Sequence, residues 1–131
     1  MIVYLDTSGA SKILIREAES KKLRAYLDDI ASRASSLIVS AALLETELRR
    51  MATRTRVAQR SVADALERIA LIDMDSGIFR EAGLLSGVGL RSPDALHIAV
   101  AERAAADEFI TYDPKQAAAA ESMGLRVVRP E

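Results

Sequence analysis

Four acidic residues stand where folding could bring them into one pocket: Asp6, Glu47, Asp94 and Asp113. Asp6 directly follows the apolar run at the start of the chain, and Asp113 follows a later apolar run by two residues. Asp94 lies in the first turn of a predicted helix, and Glu47 lies within another. In an open α/β sheet, residues just beyond the carboxyl ends of the strands converge on one crevice. The spacing therefore predicts an acidic pocket at that edge of a sheet.

Such a pocket favours a hard divalent cation, because closely packed carboxylates repel one another and take up protons unless a cation is present. Mg²⁺ prefers oxygen ligands and keeps several waters, so a few carboxylates suffice. The chain has no cysteine and a single histidine, which makes Zn²⁺ a poor match. A bound Mg²⁺ or Mn²⁺ can activate water and neutralise charge on phosphoryl oxygens. The chemistry expected of the four acids is therefore metal-assisted hydrolysis of a phosphodiester.

Each acid also has a purely structural role open to it. Asp6 and Asp113 could cap the helices that follow them, and Asp94 could complement a helix dipole. Glu47 could be an ordinary solvated residue. Glu45, on the same predicted helix, is an alternative candidate for the place in the pocket. Residues two apart on a helix project about 200° from each other, so only one of these two glutamates can face the pocket.

The elements that would position these acids alternate along the chain. Four apolar runs predict strands at Ile2–Leu5, Leu37–Val39, Glu108–Thr111 and Leu125–Val128, with a fifth candidate at Ala70–Asp73. Helices are predicted over Ser8–Arg16, Ser20–Arg33, Ala41–Ala52, Val57–Ile69, Ser76–Leu85, Pro93–Ala105 and Pro114–Ser122. This alternation predicts one α/β domain over residues 1–131, with a central parallel sheet of four to five strands flanked by helices.

Signals at the helix ends support this prediction. Ser92 and Asp113 each precede a proline, so each is expected to be an N-cap. Gly124 is expected to end the last helix in a left-handed conformation. The absence of cysteine, of a basic leader and of any apolar stretch near the ~20 residues of a membrane helix predicts a soluble, cytoplasmic protein with no membrane contact.

The residues around the acids resemble the sequence blocks of the PIN-domain nucleases, and among them the VapC toxins of toxin–antitoxin pairs. The blocks appear in the family's order at Tyr4–Ser8, Val39–Arg50, Ser92–Ala99, Thr111–Asp113 and Gly124–Pro130. The resemblance implies a PIN-like three-layer sandwich and a metal-dependent endoribonuclease with Asp6, Glu47, Asp94 and Asp113 as its site. Its Glu-Leu-x-Arg pattern favours Glu47 over Glu45. It also implies a VapB-like antitoxin partner and a homodimer.

Several polar side chains near the acids are candidates for supporting roles. Thr7 and Thr111 could orient Asp6 or metal-bound waters, or could be capping and turn hydroxyls. His97 lies one helical turn after Asp94 and could support the site or be a hydrogen-bonded core residue. Ser8 is interpreted as the start of a helix, and Tyr4 as part of the core.

A local excess of positive charge is hidden by the net charge of −1. The segment Leu48–Arg60 holds five arginines and no acid, and arginine binds phosphate and stacks on unpaired bases. The candidate RNA contacts are Arg49, Arg50, Arg54 and Arg91, although a solvated helix surface would have the same composition. Two other functions remain open: an inactive PIN-like interaction module, and a receiver or phosphatase domain in which Asp73 would be the phosphoacceptor.

Overall fold

A computed structural model, which describes residues 1–131, contains a five-stranded parallel sheet between two layers of helices. The strands are β1 Ile2–Leu5, β2 Leu37–Ala41, β3 Ala70–Ile72, β4 Glu108–Ile110 and β5 Val127–Val128. Their order across the sheet is β3-β2-β1-β4-β5, and every neighbouring pair is parallel. The α/β sandwich expected from the sequence is confirmed, including the fifth strand.

Seven helices cover the two faces of this sheet. They are α1 Thr7–Leu14, α2 Ser20–Ser32, α3 Leu43–Thr55, α4 Gln59–Leu66, α5 Ser76–Gly83, α6 Ser92–Arg103 and α7 Pro114–Ser122. Because successive strand residues point to opposite faces, Val3 and Leu5 pack with α1 to α4, whereas Tyr4 packs with α5 to α7. None of these helices has the length and apolar character that crossing a bilayer would require.

The helix ends agree with the predicted signals except at α6. Ser92 is not its N-cap but its first residue, and Arg91 is the N-cap. The Asp94 carboxylate accepts a hydrogen bond from the Arg91 backbone N–H at 3.4 Å. The helix therefore begins at Ser92, one residue before the predicted start at Pro93. The expectations for α7 are confirmed. Asp113 caps it, and Gly124 has a φ of +86° just beyond its end.

The order of the strands creates a crevice above the centre of the sheet. The chain moves from β1 outward to β2 and β3 and then returns to place β4 on the other side of β1. At such a switch point, the connections leave neighbouring strands in opposite directions, and ligands bind outside the carboxyl ends of the strands. The residues after β1 and after β4 therefore meet at this crevice.

Candidate acidic site

All four predicted acids line one cleft of about 210 Å³ at the carboxyl edge of the sheet. Asp6 reaches it from β1, Glu47 from α3, Asp94 from α6 and Asp113 from the start of α7. Glu45 does not line the cleft and instead forms an exposed ion pair with Arg49 at 2.9 Å. The structure therefore brings together the four acids that the sequence could only place one by one.

Asp6 has both the capping position and a place in the cleft. Its Oδ1 accepts hydrogen bonds from the Gly9 backbone N–H at 3.0 Å and from the Ser8 hydroxyl at 2.7 Å, which caps α1. Burial raises the pKa of the Asp6 carboxyl, although the hydroxyls of Thr111 and Ser8 and the Gly9 N–H oppose this rise. An ionised Asp6 in this cleft would be stabilised by a cation.

Asp94 and Asp113 are each held to the protein by a single oxygen. Oδ1 of Asp113 accepts from the backbone N–H groups of Lys115 at 2.9 Å and Gln116 at 3.4 Å. Oδ2 of Asp94 lies 3.7 Å from Nε of Arg91 and also caps α6. The side-chain amide of Gln116 donates to the backbone oxygen of Asp94 at 3.1 Å and ties the two helix starts together. The other oxygen of each carboxylate makes no hydrogen bond within the chain.

Glu47 is held in the same way by residues from two other helices. Its Oε1 accepts a hydrogen bond from the Thr7 hydroxyl at 2.6 Å and lies 2.7 Å from Nε2 of His97. Burial alone would raise the pKa of Glu47, but the hydrogen bonds from His97 and Thr7 and the nearby charge of Arg91 lower it below its usual value. Thr7 thus contacts Glu47 rather than Asp6, because the first turn of α1 faces α3 and α6. His97 is buried and fully hydrogen-bonded.

Ser8 is a site residue whose role the sequence did not reveal. Its hydroxyl donates to Asp6, accepts from the backbone N–H of Tyr112 at 2.8 Å and lies 3.2 Å from the Thr111 hydroxyl. The Thr111 hydroxyl in turn accepts from the Asp113 backbone N–H at 3.2 Å. Ser8 therefore links the residues after β1 to those after β4. Its signal in the sequence is its place two residues after Asp6, at the end of the Tyr4–Ser8 block.

The donor atoms of the cleft fit Mg²⁺ or Mn²⁺ better than Zn²⁺. They are carboxylate and hydroxyl oxygens with one imidazole, and no thiolate is present. No three acidic or histidine side chains stand in a ready-made ligand cluster. The cleft thus supplies oxygen donors on four separate elements rather than a closed cage, which suits a cation that keeps several of its waters.

The predicted arginines lie on and beside α3. Arg50 and Arg54 are exposed and follow Glu47 by three and seven residues, so they continue its face of the helix. They line a shallow groove of about 560 Å³ together with Arg49, which is partly engaged by Glu45. Arg91 lies at the rim of the acidic cleft with 79 % of its side chain exposed. A path of positive charge therefore leads toward the acids.

Comparison with known proteins agrees with this architecture. The PIN domain model matches residues 3–122. Ribonuclease VapC46 of Mycobacterium tuberculosis is 33% identical over 130 residues, covering 98% of this chain and 97% of the relative, and Ribonuclease VapC35 of the same organism is 33% identical over 134 residues with the same coverage.

Two solved structures share the fold. A chain of VapBC2 from Rickettsia felis, in a complex bound to a promoter DNA fragment, has a TM-score of 0.79 at 17% identity over 100% of both chains. VapC20 of Mycobacterium tuberculosis, described as a sarcin-ricin loop cleaving toxin, has a TM-score of 0.72 at 16% identity, covering 89% of this chain and 94% of that one. The chain described here belongs to the PIN-domain family.

Proposed function

We propose that this protein is an endoribonuclease dependent on a divalent cation, and that it is the toxin of a VapBC-type toxin–antitoxin pair. The observation that carries the proposal is the meeting of Asp6, Glu47, Asp94 and Asp113 in one cleft at the carboxyl edge of the sheet. Its full-length relatives are ribonucleases of the VapC type, which supports RNA as the substrate.

The four carboxylates would hold the cation, which we assign as Mg²⁺ with Mn²⁺ able to replace it. When bound, the cation would make a coordinated water more acidic and neutralise charge on the phosphoryl oxygens. Glu47, whose pKa is lowered, stays ionised, and as a ligand of the cation it would also orient a neighbouring water. Asp94 and Asp113 each offer one oxygen that is free of hydrogen bonds within the chain.

The arginines of α3 and the rim would carry the substrate to this cleft. We assign contacts with the RNA backbone to Arg49, Arg50, Arg54 and Arg91, because guanidinium groups bind phosphate in a bidentate fashion. Exposed arginines can also stack on unpaired bases, which favours single-stranded RNA. Since solved structures of this fold include VapBC2 and a toxin–antitoxin complex, we also propose a VapB-like antitoxin as partner. Residues 1–131 would act as one domain, as a homodimer, in the cytoplasm.

The receiver-like alternative finds no support at the position it requires. Asp73 follows β3, which is an edge strand, and its side chain is exposed outside the acidic cleft. The inactive-module alternative predicts that the protein binds no divalent cation, because such a module would have no use for one.

The two glutamates of α3 allow a matched test of the proposal. Mn²⁺ binding by calorimetry and 5′-end mapping of cleaved total RNA would be compared for wild type, Glu47→Gln and Glu45→Gln. We expect Glu47→Gln to lose about 10²-fold or more in cleavage rate and to bind Mn²⁺ more weakly. Glu45→Gln loses only an exposed ion pair and should match wild type. Equal behaviour of the two variants would refute the site, and a wild type that binds no Mn²⁺ would favour the inactive module.

A further inference from the structure

A chain of hydrogen bonds runs from the buried sheet to the acidic cleft through Tyr4, His97 and Glu47. Tyr4 lies on β1 with no exposed surface, and its ring stacks on Phe109 at a centroid distance of 5.2 Å. Its hydroxyl lies 2.7 Å from Nδ1 of His97, and Nε2 of the same ring lies 2.7 Å from Oε1 of Glu47. Tyr4 does not line the cleft, so it can act there only through the histidine.

The hydrogens in this chain are placed by the groups at its two ends. Oε1 of Glu47 belongs to a carboxylate and only accepts, so the 2.7 Å contact forms only when Nε2 of His97 carries a hydrogen. The Thr7 hydroxyl also lies 3.0 Å from Nε2 of His97. It is not the donor in that contact, because Thr7 donates its hydrogen to Oε1 of Glu47 at 2.6 Å. At the other end, burial raises the pKa of the Tyr4 hydroxyl, which keeps its proton and, at 2.7 Å from Nδ1, is placed to donate it there. The ring is thereby held as the Nε2–H tautomer.

This arrangement has two effects on the cleft. Oε1 of Glu47 is occupied by two donors, from Thr7 and His97, which leaves Oε2 free of hydrogen bonds within the chain. The two donors come from α1 and α6, so they also fix the Glu47 carboxylate between these helices. Partners that orient a ligating carboxylate are as much a part of a metal site as the ligand itself.

We propose that Tyr4 is a positioning residue: its hydroxyl holds His97 in the Nε2–H tautomer, and that N–H holds Glu47 so that Oε2 is presented to a divalent cation. This inference rests on the proposed function, since it concerns how one of the four carboxylates is offered to the metal. A core tyrosine whose only role is packing would be replaceable by phenylalanine without any effect on the histidine or on the cation.

His97 is the only histidine of the chain, so its ring can be observed directly by ¹⁵N NMR of the full-length protein labelled at histidine. We expect wild type to show the Nε2–H tautomer. In Tyr4→Phe the donor to Nδ1 is lost, so we expect a population that carries its hydrogen on Nδ1 and no longer donates to Glu47, with a Mn²⁺ affinity lower by about tenfold. Tyr26→Phe is the matched control, because it removes a hydroxyl that donates to Glu108, away from the cleft. It should leave both the tautomer and the affinity at their wild-type values.

A second pair of variants tests the same link without altering the sheet. His97→Gln keeps an N–H donor that can reach Glu47, whereas His97→Leu does not. We expect the glutamine variant to bind Mn²⁺ nearly as well as wild type and the leucine variant to bind it about tenfold more weakly. An unchanged tautomer in Tyr4→Phe, or equal Mn²⁺ affinities for the glutamine and leucine variants, would overturn the inference. A wild type with the Nε2–H tautomer but no affinity for Mn²⁺ would instead overturn the proposed function.

Discussion

Replacing Ser8 by alanine would remove the hydroxyl that links the start of α1 to the residues after β4. The variant loses the hydrogen bond to the buried Asp6 carboxylate at 2.7 Å and leaves the Tyr112 backbone N–H without its acceptor. A hydrogen bond to a charged group contributes about 1.5–3 kcal/mol, and an unsatisfied buried donor costs about 1–3 kcal/mol. Because the Gly9 N–H still serves Asp6, we expect a loss of about 2–4 kcal/mol in the free energy of unfolding.

Urea denaturation in the presence of EDTA would measure this loss on the metal-free protein. With a urea dependence of about 1–3 kcal/mol per molar, the midpoint should fall by roughly 1–2 M. Ser11→Ala is the matched control, because Ser11 also lines the cleft one turn along α1 but donates only to the Ser8 backbone oxygen. We expect it to change the free energy of unfolding by less than about 0.5 kcal/mol. Equal midpoints for the two alanine variants would show that Ser8 does not link the two segments.

Two further predictions concern the charges of the site. The pKa of Asp6 is raised in the folded protein, so ionising this carboxyl disfavours the folded state. The contribution of Asp6 to the stability of the metal-free protein should therefore decline as the pH rises from the ordinary carboxyl pKa through the raised pKa. Asp6→Asn should therefore be more stable than wild type in EDTA at neutral pH. A difference in urea midpoint between the two proteins that stays constant from acid to neutral pH would contradict this. In an Asp94→Asn background, Arg50→Gln and Arg54→Gln should each reduce the salt dependence of single-stranded RNA binding by about 0.7 in log–log slope. Arg68→Gln, whose side chain is paired with Asp28, should leave that slope unchanged.

The alternation of strands and helices, the helix caps at Asp113 and Gly124 and the motifs around the acids could all be predicted from the sequence. These features depend on hydrophobic periodicity and on contacts between residues a few positions apart. The one wrong cap, at Ser92, shows the limit of such signals. There the carboxylate of Asp94 accepts from the Arg91 backbone N–H, and the helix starts one residue earlier than the serine and proline suggest.

Only the tertiary structure decided how the acids are held. Whether Glu45 or Glu47 faces the cleft depends on how α3 packs on the sheet, which the 200° separation on the helix could not settle. The contact between Ser8 and Tyr112 joins residues 104 positions apart, and the contact between Tyr4 and His97 joins residues 93 apart. Such contacts form only when several elements pack at once, so no local pattern encodes them. The types and order of the site residues are therefore properties of the sequence, whereas their partners and geometry are properties of the fold.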